Sequence, residues 1–274
     1  MGRPHLIGRL LERDRRIVIA AMAIAVAACA AFIVSGGGTG MSSIGMTRMT
    51  GPAGALIAQT PDMLMPVAWT PGYAAVIFLM WWLMMVAMMV PSVAPVVLLY
   101  GALRPERGAA GQLEFLAGYL CVWALFSLAA TAVQAALTTS GLLSAMFMSV
   151  TGAYLGSGLL IGAGLYQFTP LKSACLASCR GPVEALASHR RTGRAAAFRM
   201  GLSHGGYCLG CCWALMVLLF VGGVMNLWWV MAIAVYVAIE KLAPGGDRIA
   251  RFLGVALILA GLALAARTAG IAWS

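Results

Sequence analysis

The feature that most limits how this chain can fold is a series of long apolar segments. Residues 73–100, for example, contain no charged side chain. An apolar helix of about 20 residues crosses the ~30 Å hydrocarbon layer of a bilayer. The whole chain is 62% hydrophobic and only 9% charged, whereas soluble domains have about 25% charged residues. We therefore predict an all-α fold, a polytopic membrane helix bundle that the lipid bilayer surrounds.

The apolar segments predict about seven transmembrane helices. We expect a basic cytoplasmic arm at 1–16, a first transmembrane helix at 17–34, an external loop with Met, Gly and Pro at 35–71, and a six-helix membrane core at 72–274 with a cytoplasmic, Cys-containing connection at 170–199. No clear small-residue cleavage pattern follows the first helix, so we expect it to be retained as a signal anchor.

The basic residues predict the orientation of the bundle. Of the 18 Lys and Arg residues, only Arg48 and Arg267 fall on the predicted outer side. Lys and Arg concentrate in the cytoplasmic loops of membrane proteins. The N-terminus should therefore be cytoplasmic, and the net charge of +10 does not indicate nucleic-acid binding. We expect a multi-pass protein of a bacterial inner (plasma) membrane.

Soft and borderline metal ligands are concentrated in two short stretches. The first holds His204, Cys208, Cys211 and Cys212, and the second holds Cys175 and Cys179. Each set lies on one face of a helix, and Thr169-Pro170 is typical of the start of the helix that carries the second set. We predict a site assembled between these helices. Its cysteines could also be small apolar side chains or a dithiol relay.

Methionines form a stripe in the second apolar segment: Met80, Met84, Met85, Met88 and Met89. Met80, Met84 and Met88 recur every four residues on one helix face, and Pro91 and Pro95 should kink this helix. Thioethers select Cu(I), but Met also fills gaps in apolar cores. A metal path and core packing both remain open.

The external loop holds a second group of methionines, Met41, Met46, Met49, Met63 and Met65. These side chains could anchor the loop at the lipid surface or collect Cu(I).

Polar groups within or at the ends of apolar helices are candidates for function. Asn226 and Glu240 are possible polar support for the metal site. Glu240 could instead pair with Lys241 at the interface, and we expect Lys172 and Arg180 to contact lipid headgroups.

Four blocks of the sequence carry a resemblance to a known family. They are Trp82–Pro91; Tyr119 with Trp123; Gly164–Lys172 with Cys175 and Cys179–Pro182; and Gly206–Met216 with Gly223–Asn226 and Glu240-Lys241. In combination they resemble a bacterial domain-of-unknown-function family of predicted metal-binding integral membrane proteins, over about residues 75–245. The resemblance implies a helical membrane protein that binds metal, and it implies no particular activity.

The ligand types favour a protein that handles a soft metal ion. Copper(I) suits sulfur sites of low coordination number, and zinc is possible because it takes Cys and His in four-coordinate sites. We predict a transporter or a metal-delivery or assembly factor, with a metallochaperone or a membrane complex as its partner.

The alternatives are a membrane thiol-redox protein and a non-catalytic accessory subunit of a larger complex. No Walker-type glycine loop, aspartyl-phosphorylation sequence or Ser/His/Asp arrangement is visible, so we expect neither a pump driven by its own ATP hydrolysis nor catalytic residues.

Overall fold

The computed structural model of the chain describes residues 3–38, 42–51, 68–181, 195–243 and 245–270, with backbone only for residues 3–11. The α-helices are, in chain order, α1 (Arg3–Val34), α2 (Ser43–Thr50), α3 (Pro71–Leu103), α4 (Gly108–Thr139), α5 (Ala153–Tyr166), α6 (Pro170–Arg180), α7 (Ala196–Val217), α8 (Leu219–Gly222), α9 (Leu227–Leu242) and α10 (Gly246–Thr268). A 3₁₀ turn, Pro105–Arg107, joins α3 to α4. Met41, Met63 and Met65 lie outside the described residues.

Five stretches of the described chain are long and apolar enough to cross a membrane. They are Glu12–Val34, Pro71–Leu103, Pro105–Thr139, Ala196–Gly222 and Gly246–Thr268. Helix α5 has 14 residues and α9 has 16, so two of the seven expected spans are shorter; 16 residues cover about 24 Å. The chain is a helical membrane protein, and the seven crossings and the orientation of the N-terminus stay predictions.

Large apolar side chains cover the outside of the bundle. Ile24, Leu125 and Phe252 are all more than two-thirds exposed, which is expected where helices face lipid. Helix α3 lies inside, with most of its large apolar residues buried, and α7 buries its three cysteines together with Met200, Leu215 and Met216. The core of the protein is therefore built around these two helices, which also carry the methionine stripe and His204–Cys212.

Glycines bring two pairs of helices into close contact. Gly118 of α4 lies against the Phe198 carbonyl of α7, and Gly201 of α7 lies against the Phe115 carbonyl of α4; a Cβ atom at either glycine would overlap that oxygen. Gly164 of α5 approaches α10 in the same way. Small residues permit such approach between membrane helices. The α4–α7 contact fixes the position of Cys208 relative to α4.

Helix α3 runs without interruption through Pro91 and Pro95. It is joined to α4 by a hydrogen bond of 2.7 Å from the Trp81 indole to the side-chain oxygen of Gln134. Trp81 is fully buried, and a buried indole N–H usually has a partner. This contact helps to set the rotation of the methionine stripe about the axis of α3.

The connection between α4 and α5 differs from the all-α expectation. It forms a small antiparallel hairpin of β1 (Leu143–Ser144) and β2 (Ser149–Val150), in which Leu143 pairs with Val150 and Ser144 with Ser149. Val224 donates its backbone N–H to the carbonyl oxygen of Met148 at 3.3 Å. The hairpin is therefore held by the turn that follows α8, a long-range contact that a local sequence pattern does not reveal.

Candidate metal centre

Cys208 of α7 lies at a junction of three helices. Its Sγ is 2.9 Å from Oη of Tyr119 on α4, and Nζ of Lys241 on α9 donates to the same sulfur at 2.9 Å. The side chain of Cys208 is only 2% exposed. Hydrogen bonds from charged donors are strongest to an anionic acceptor, so the contacts fit a Cys208 thiolate.

A cavity of about 220 Å³ opens beside Cys208. Its lining residues come from α3, α4, α6, α7 and α9: Ser92, Val93, Pro95, Val96, Tyr119, Cys179, Arg180, His204, Cys208, Lys241 and Leu242. The structure thus brings together three of the predicted ligands, Cys179, His204 and Cys208, as lining of one cavity. This volume is ample for an ion or several water molecules, since one water occupies about 30 Å³ of liquid.

Lys241 also reaches the methionine helix. Its Nζ lies 4.0 Å from Sδ of Met89, in addition to its contact with Cys208. One ammonium group therefore lies against both a cysteine sulfur and a thioether sulfur. Met89 is fully buried, so the pair of sulfurs is shielded from bulk water. Sulfur ligands of these two kinds select Cu(I) among the metal ions.

Helix α6 carries Cys179 to the cavity. The helix begins as the sequence predicted: the Thr169 side chain accepts from the Lys172 backbone N–H, and Pro170 occupies the first turn. At its end, Arg180 donates to the carbonyl oxygen of Ala243 at 2.5 Å. Hydrogen bonding to Cys208 and Cys211, together with burial, raises the pKa of the Cys179 thiol. Cys179 is therefore a neutral neighbour of Cys208.

Cys175 lies outside the cavity lining. It packs against Gly210 of α7, where a Cβ atom would come within 2.6 Å of the cysteine sulfur. Burial, followed by the charge of Cys211, raises the pKa of the Cys175 thiol. The absence of a side chain at Gly210 thus admits α6 close to α7, whereas Gly206 faces open space.

Cys211 and Cys212 are buried beside the site. Their thiols donate to the backbone carbonyl of Cys208 at 3.1 and 3.0 Å, and both side chains are at most 1% exposed. Such a bond within a helix satisfies a buried polar group. The two thiols are thus satisfied within α7, and neither of them lines the cavity.

His204 lies one helical turn before Cys208 and lines the same cavity. Its ring packs against the rings of Phe115, at 6.0 Å between centroids, and Tyr119, at 6.1 Å. Aromatic packing of this kind orients the imidazole. His204 is thus held at the cavity wall, close to Cys208.

The methionine stripe is buried along its whole length. Met80, Met84, Met85, Met88 and Met89 are each at most 6% exposed. Met89 is the member with a contact to the cysteine site, through Lys241. Met80 lies toward the other end, against Gly37, about 13–14 Å away along the axis of α3.

The two predicted polar supports lie at opposite ends of α9. Asn226 caps its N-terminus by accepting from the Trp228 backbone N–H at 3.0 Å, and it donates to Thr50 and Gly51. From Leu227 to Lys241 the helix axis rises about 21 Å. Asn226 therefore stabilises the start of α9 and the packing of α2, and it lies far from Cys208.

Glu240 pairs with Lys172 and not with the neighbouring Lys241. Oε1 of Glu240 is 2.5 Å from Nζ of Lys172, and both side chains are 1% exposed. Successive residues of a helix point about 100° apart, so Glu240 faces α6 while Lys241 faces Cys208. Lys172 is buried in an ion pair and does not contact lipid headgroups.

Among the residues that the structure describes, no group of three or more His, Cys, Asp or Glu side chains is arranged to hold a metal ion. A group of that kind does not include methionine. The Cys208 thiolate and the Met89 thioether are therefore not counted together in it. The arrangement offers a metal ion two buried sulfur atoms, those of Cys208 and Met89, and the ammonium group of Lys241 is already in contact with both.

Two residues at this centre were missed by ligand spacing alone. In the sequence, Lys241 stands out only as a possible partner of Glu240, and Tyr119 only as part of the family resemblance. The available signal was an ionisable side chain at the end of the apolar segment 227–242, which is a rare and costly placement in a membrane protein.

Comparison with known proteins agrees with a metal-related role. No curated protein and no solved structure matches the chain significantly. A family model described as PpoB2, copper chaperone, matches residues 78–264. The matched range includes every residue of the cavity lining and well over half of the chain. The chain therefore belongs to the PpoB2 family of copper chaperones.

Proposed function

We propose that this protein binds copper(I) at Cys208, which lines a cavity together with Cys179 and His204, that the thioether of Met89 is a second sulfur ligand, and that the protein passes the ion on. The observation that carries the proposal is that a buried cysteine sulfur and a buried thioether sulfur both lie within 4.0 Å of one atom, Nζ of Lys241. The family supports copper as the cargo. Thiolate and thioether ligands favour Cu(I) over harder ions.

The buried methionines supply further soft ligands on one helix. From Met80 to Met89 they extend about 13–14 Å through the core, and all are shielded from lipid. A thiolate binds Cu(I) more tightly than a thioether, so an ion that enters among the methionines would move toward Cys208. We propose that the stripe is a path for copper(I) to or from the cysteine site.

The proposed role is that of a delivery factor or transporter in a bacterial inner membrane. The five membrane-length helices support a membrane location, and the arginine-rich connections support a cytoplasmic position for the Cys208 end. Copper(I) would then be exchanged at that end with a metallochaperone or a membrane complex. Because the Cys208 thiolate binds copper(I) more tightly than the thioethers do, the ion should move inward unless a partner binds it more tightly.

The test is the copper content of purified protein with Cys208→Ser. Copper(I) is added anaerobically, and bound copper is measured by elemental analysis after desalting. We expect the variant to lose most of its copper, because the strongest ligand is removed. Cys121→Ser is the matched control, since Cys121 is an exposed cysteine of α4 and should keep the wild-type content. Equal copper in both variants would overturn the proposal.

One contact also favours the redox alternative. Cys179 interacts with both Cys208 and Cys211, and a thiolate near a second thiol can form a disulfide when an external oxidant takes up the two electrons. Thiol trapping in cells decides between the two functions. A relay requires Cys179 and Cys208 to become oxidised together during turnover, whereas copper handling requires both to stay reduced.

A further inference from the structure

Lys241 places a positive charge where the proposed cargo would bind. Its Nζ is 2.9 Å from Sγ of Cys208 and 4.0 Å from Sδ of Met89. A copper(I) ion shared by these two sulfurs would occupy the same space as the ammonium group. Two cations cannot share this space, because like charges in direct contact repel strongly where the site is shielded from water.

We propose that Lys241 is a built-in exchange cation: copper(I) loads by displacing its ammonium group, and the returning ammonium promotes release. This inference rests on the proposed function. Before loading, one thiolate is paired with one ammonium; after loading, the thiolate holds Cu⁺ and the ammonium lies in the cavity. Copper stays Cu(I), Lys241 stays protonated and Cys208 stays deprotonated, so no electron or proton is transferred.

The cavity provides room for the displaced side chain. Lys241 itself lines the space of about 220 Å³, together with Ser92 on the opposite helix. The Ser92 hydroxyl donates to the Met89 carbonyl at 2.9 Å, and its oxygen keeps lone pairs that can accept from an ammonium. The lysine stem has four rotatable carbons. Movement of Nζ by a few ångströms therefore requires no change in the helices.

A purely structural role for Lys241 predicts the opposite effect on affinity. If the ammonium only stabilises the cysteine, its removal should disturb the site and weaken copper binding. If it competes with copper, its removal should strengthen binding, because no ammonium–thiolate contact has to be broken during loading. The direction of the change in copper affinity therefore separates the two roles.

The experiment compares Lys241→Gln with Lys241→Arg. Copper(I) affinity is measured in detergent, without oxygen, by competition with the chelator bicinchoninate. We expect Lys241→Gln to bind copper(I) about tenfold or more tightly than wild type, and to give it up more slowly to excess chelator. Lys241→Arg keeps the charge and should stay near wild type, as should the exposed surface control Arg251→Gln. Unchanged or weaker binding by Lys241→Gln overturns the inference.

A second measurement uses the wild-type protein and needs no variant to fold. Acetylation of lysines by a water-soluble active ester is followed by mass spectrometry, with and without silver(I) as a redox-inert stand-in for copper(I). We expect labelling of Lys241 to rise severalfold on loading, while Lys172, sealed in its ion pair, stays protected. Equal labelling of Lys241 in both states contradicts the exchange. Wild-type protein that binds neither ion would overturn the proposed function itself.

Discussion

Helix α9 ends in two adjacent charged residues with contrasting surroundings. Glu240 lies in a sealed contact with Lys172, where both side chains are 1% exposed. Lys241 lies at the edge of a cavity and faces two sulfur atoms. The first is a charge neutralised by a permanent partner, and the second is a charge whose partner is also a soft metal ligand. Burial alone therefore does not identify the functional group; the nature of the partner and the adjoining space do.

The surroundings of Glu240 and those of Lys241 also serve different purposes. The Lys172–Glu240 pair joins α6 to α9, and the Arg180–Ala243 hydrogen bond joins the other end of α6 to the residue after α9. These contacts hold Cys179 at the cavity. The buried Lys172–Glu240 pair thus positions the helices that line the cavity, and the proposed copper binding takes place beside Lys241.

The largest expected effect is on the sealed pair. Glu240→Ala should lower the free energy of unfolding by about 3–5 kcal/mol, because it leaves the Lys172 ammonium buried without a partner. Thermal unfolding in detergent measures this loss. Replacing both residues, Lys172→Met with Glu240→Leu, should recover most of the stability. A loss below about 1 kcal/mol for the single variant would mean that the pair is not sealed in solution.

A smaller loss is expected where α4 meets α7. Gly201→Ala introduces a Cβ atom against the Phe115 carbonyl, and overpacking of this kind costs about 1–3 kcal/mol. The helices must separate, so Tyr119 should lose its contact with Cys208 and copper affinity should fall. Unfolding and copper competition are measured on the same samples.

Gly206→Ala is the matched control for that change. Gly206 lies on the same helix with no atom near its Cβ position, and replacing a helical glycine by alanine is favourable by about 0.5–1 kcal/mol. Equal behaviour of the two variants would show that close approach of α4 and α7 does not shape the site.

The smallest effect is expected at the thioether. Met89→Leu conserves volume, so stability should change by less than about 1.5 kcal/mol, while copper(I) affinity should fall about tenfold because one soft ligand is lost. Met231→Leu is the control, since Met231 is 59% exposed on α9. If the two variants bind copper equally well, Met89 belongs to the core and not to the site.

Much of this arrangement could be predicted from the sequence. The apolar segments indicated a helical membrane protein, and the spacing of Cys208, Cys211 and Cys212 placed them on one face of a helix. Thr169-Pro170 marked the start of α6 because a cap is a local signal. These features depend on neighbours in the chain, so that periodicity and spacing are sufficient to find them.

The contacts between helices could not be predicted in the same way. Which thiol meets the cavity depends on how α7 is rotated against α4, and Gly118 and Gly201 set that rotation through carbonyls far away in the chain. The same holds for Glu240 and Lys241, whose partners are on different helices. A single sequence shows which residues share a face, but not which neighbour that face meets.

The proposed function depends above all on the binding of copper(I) to the sulfur of Cys208. X-ray absorption at the copper edge tests it most directly, on wild-type protein, Cys208→Ser and Cys121→Ser loaded under the same anaerobic conditions. If Cys208 is the ligand, wild type and Cys121→Ser will show Cu(I) with sulfur neighbours, and Cys208→Ser will lose the sulfur scattering or the bound copper. Identical spectra from all three proteins, or copper surrounded only by nitrogen and oxygen, would contradict it.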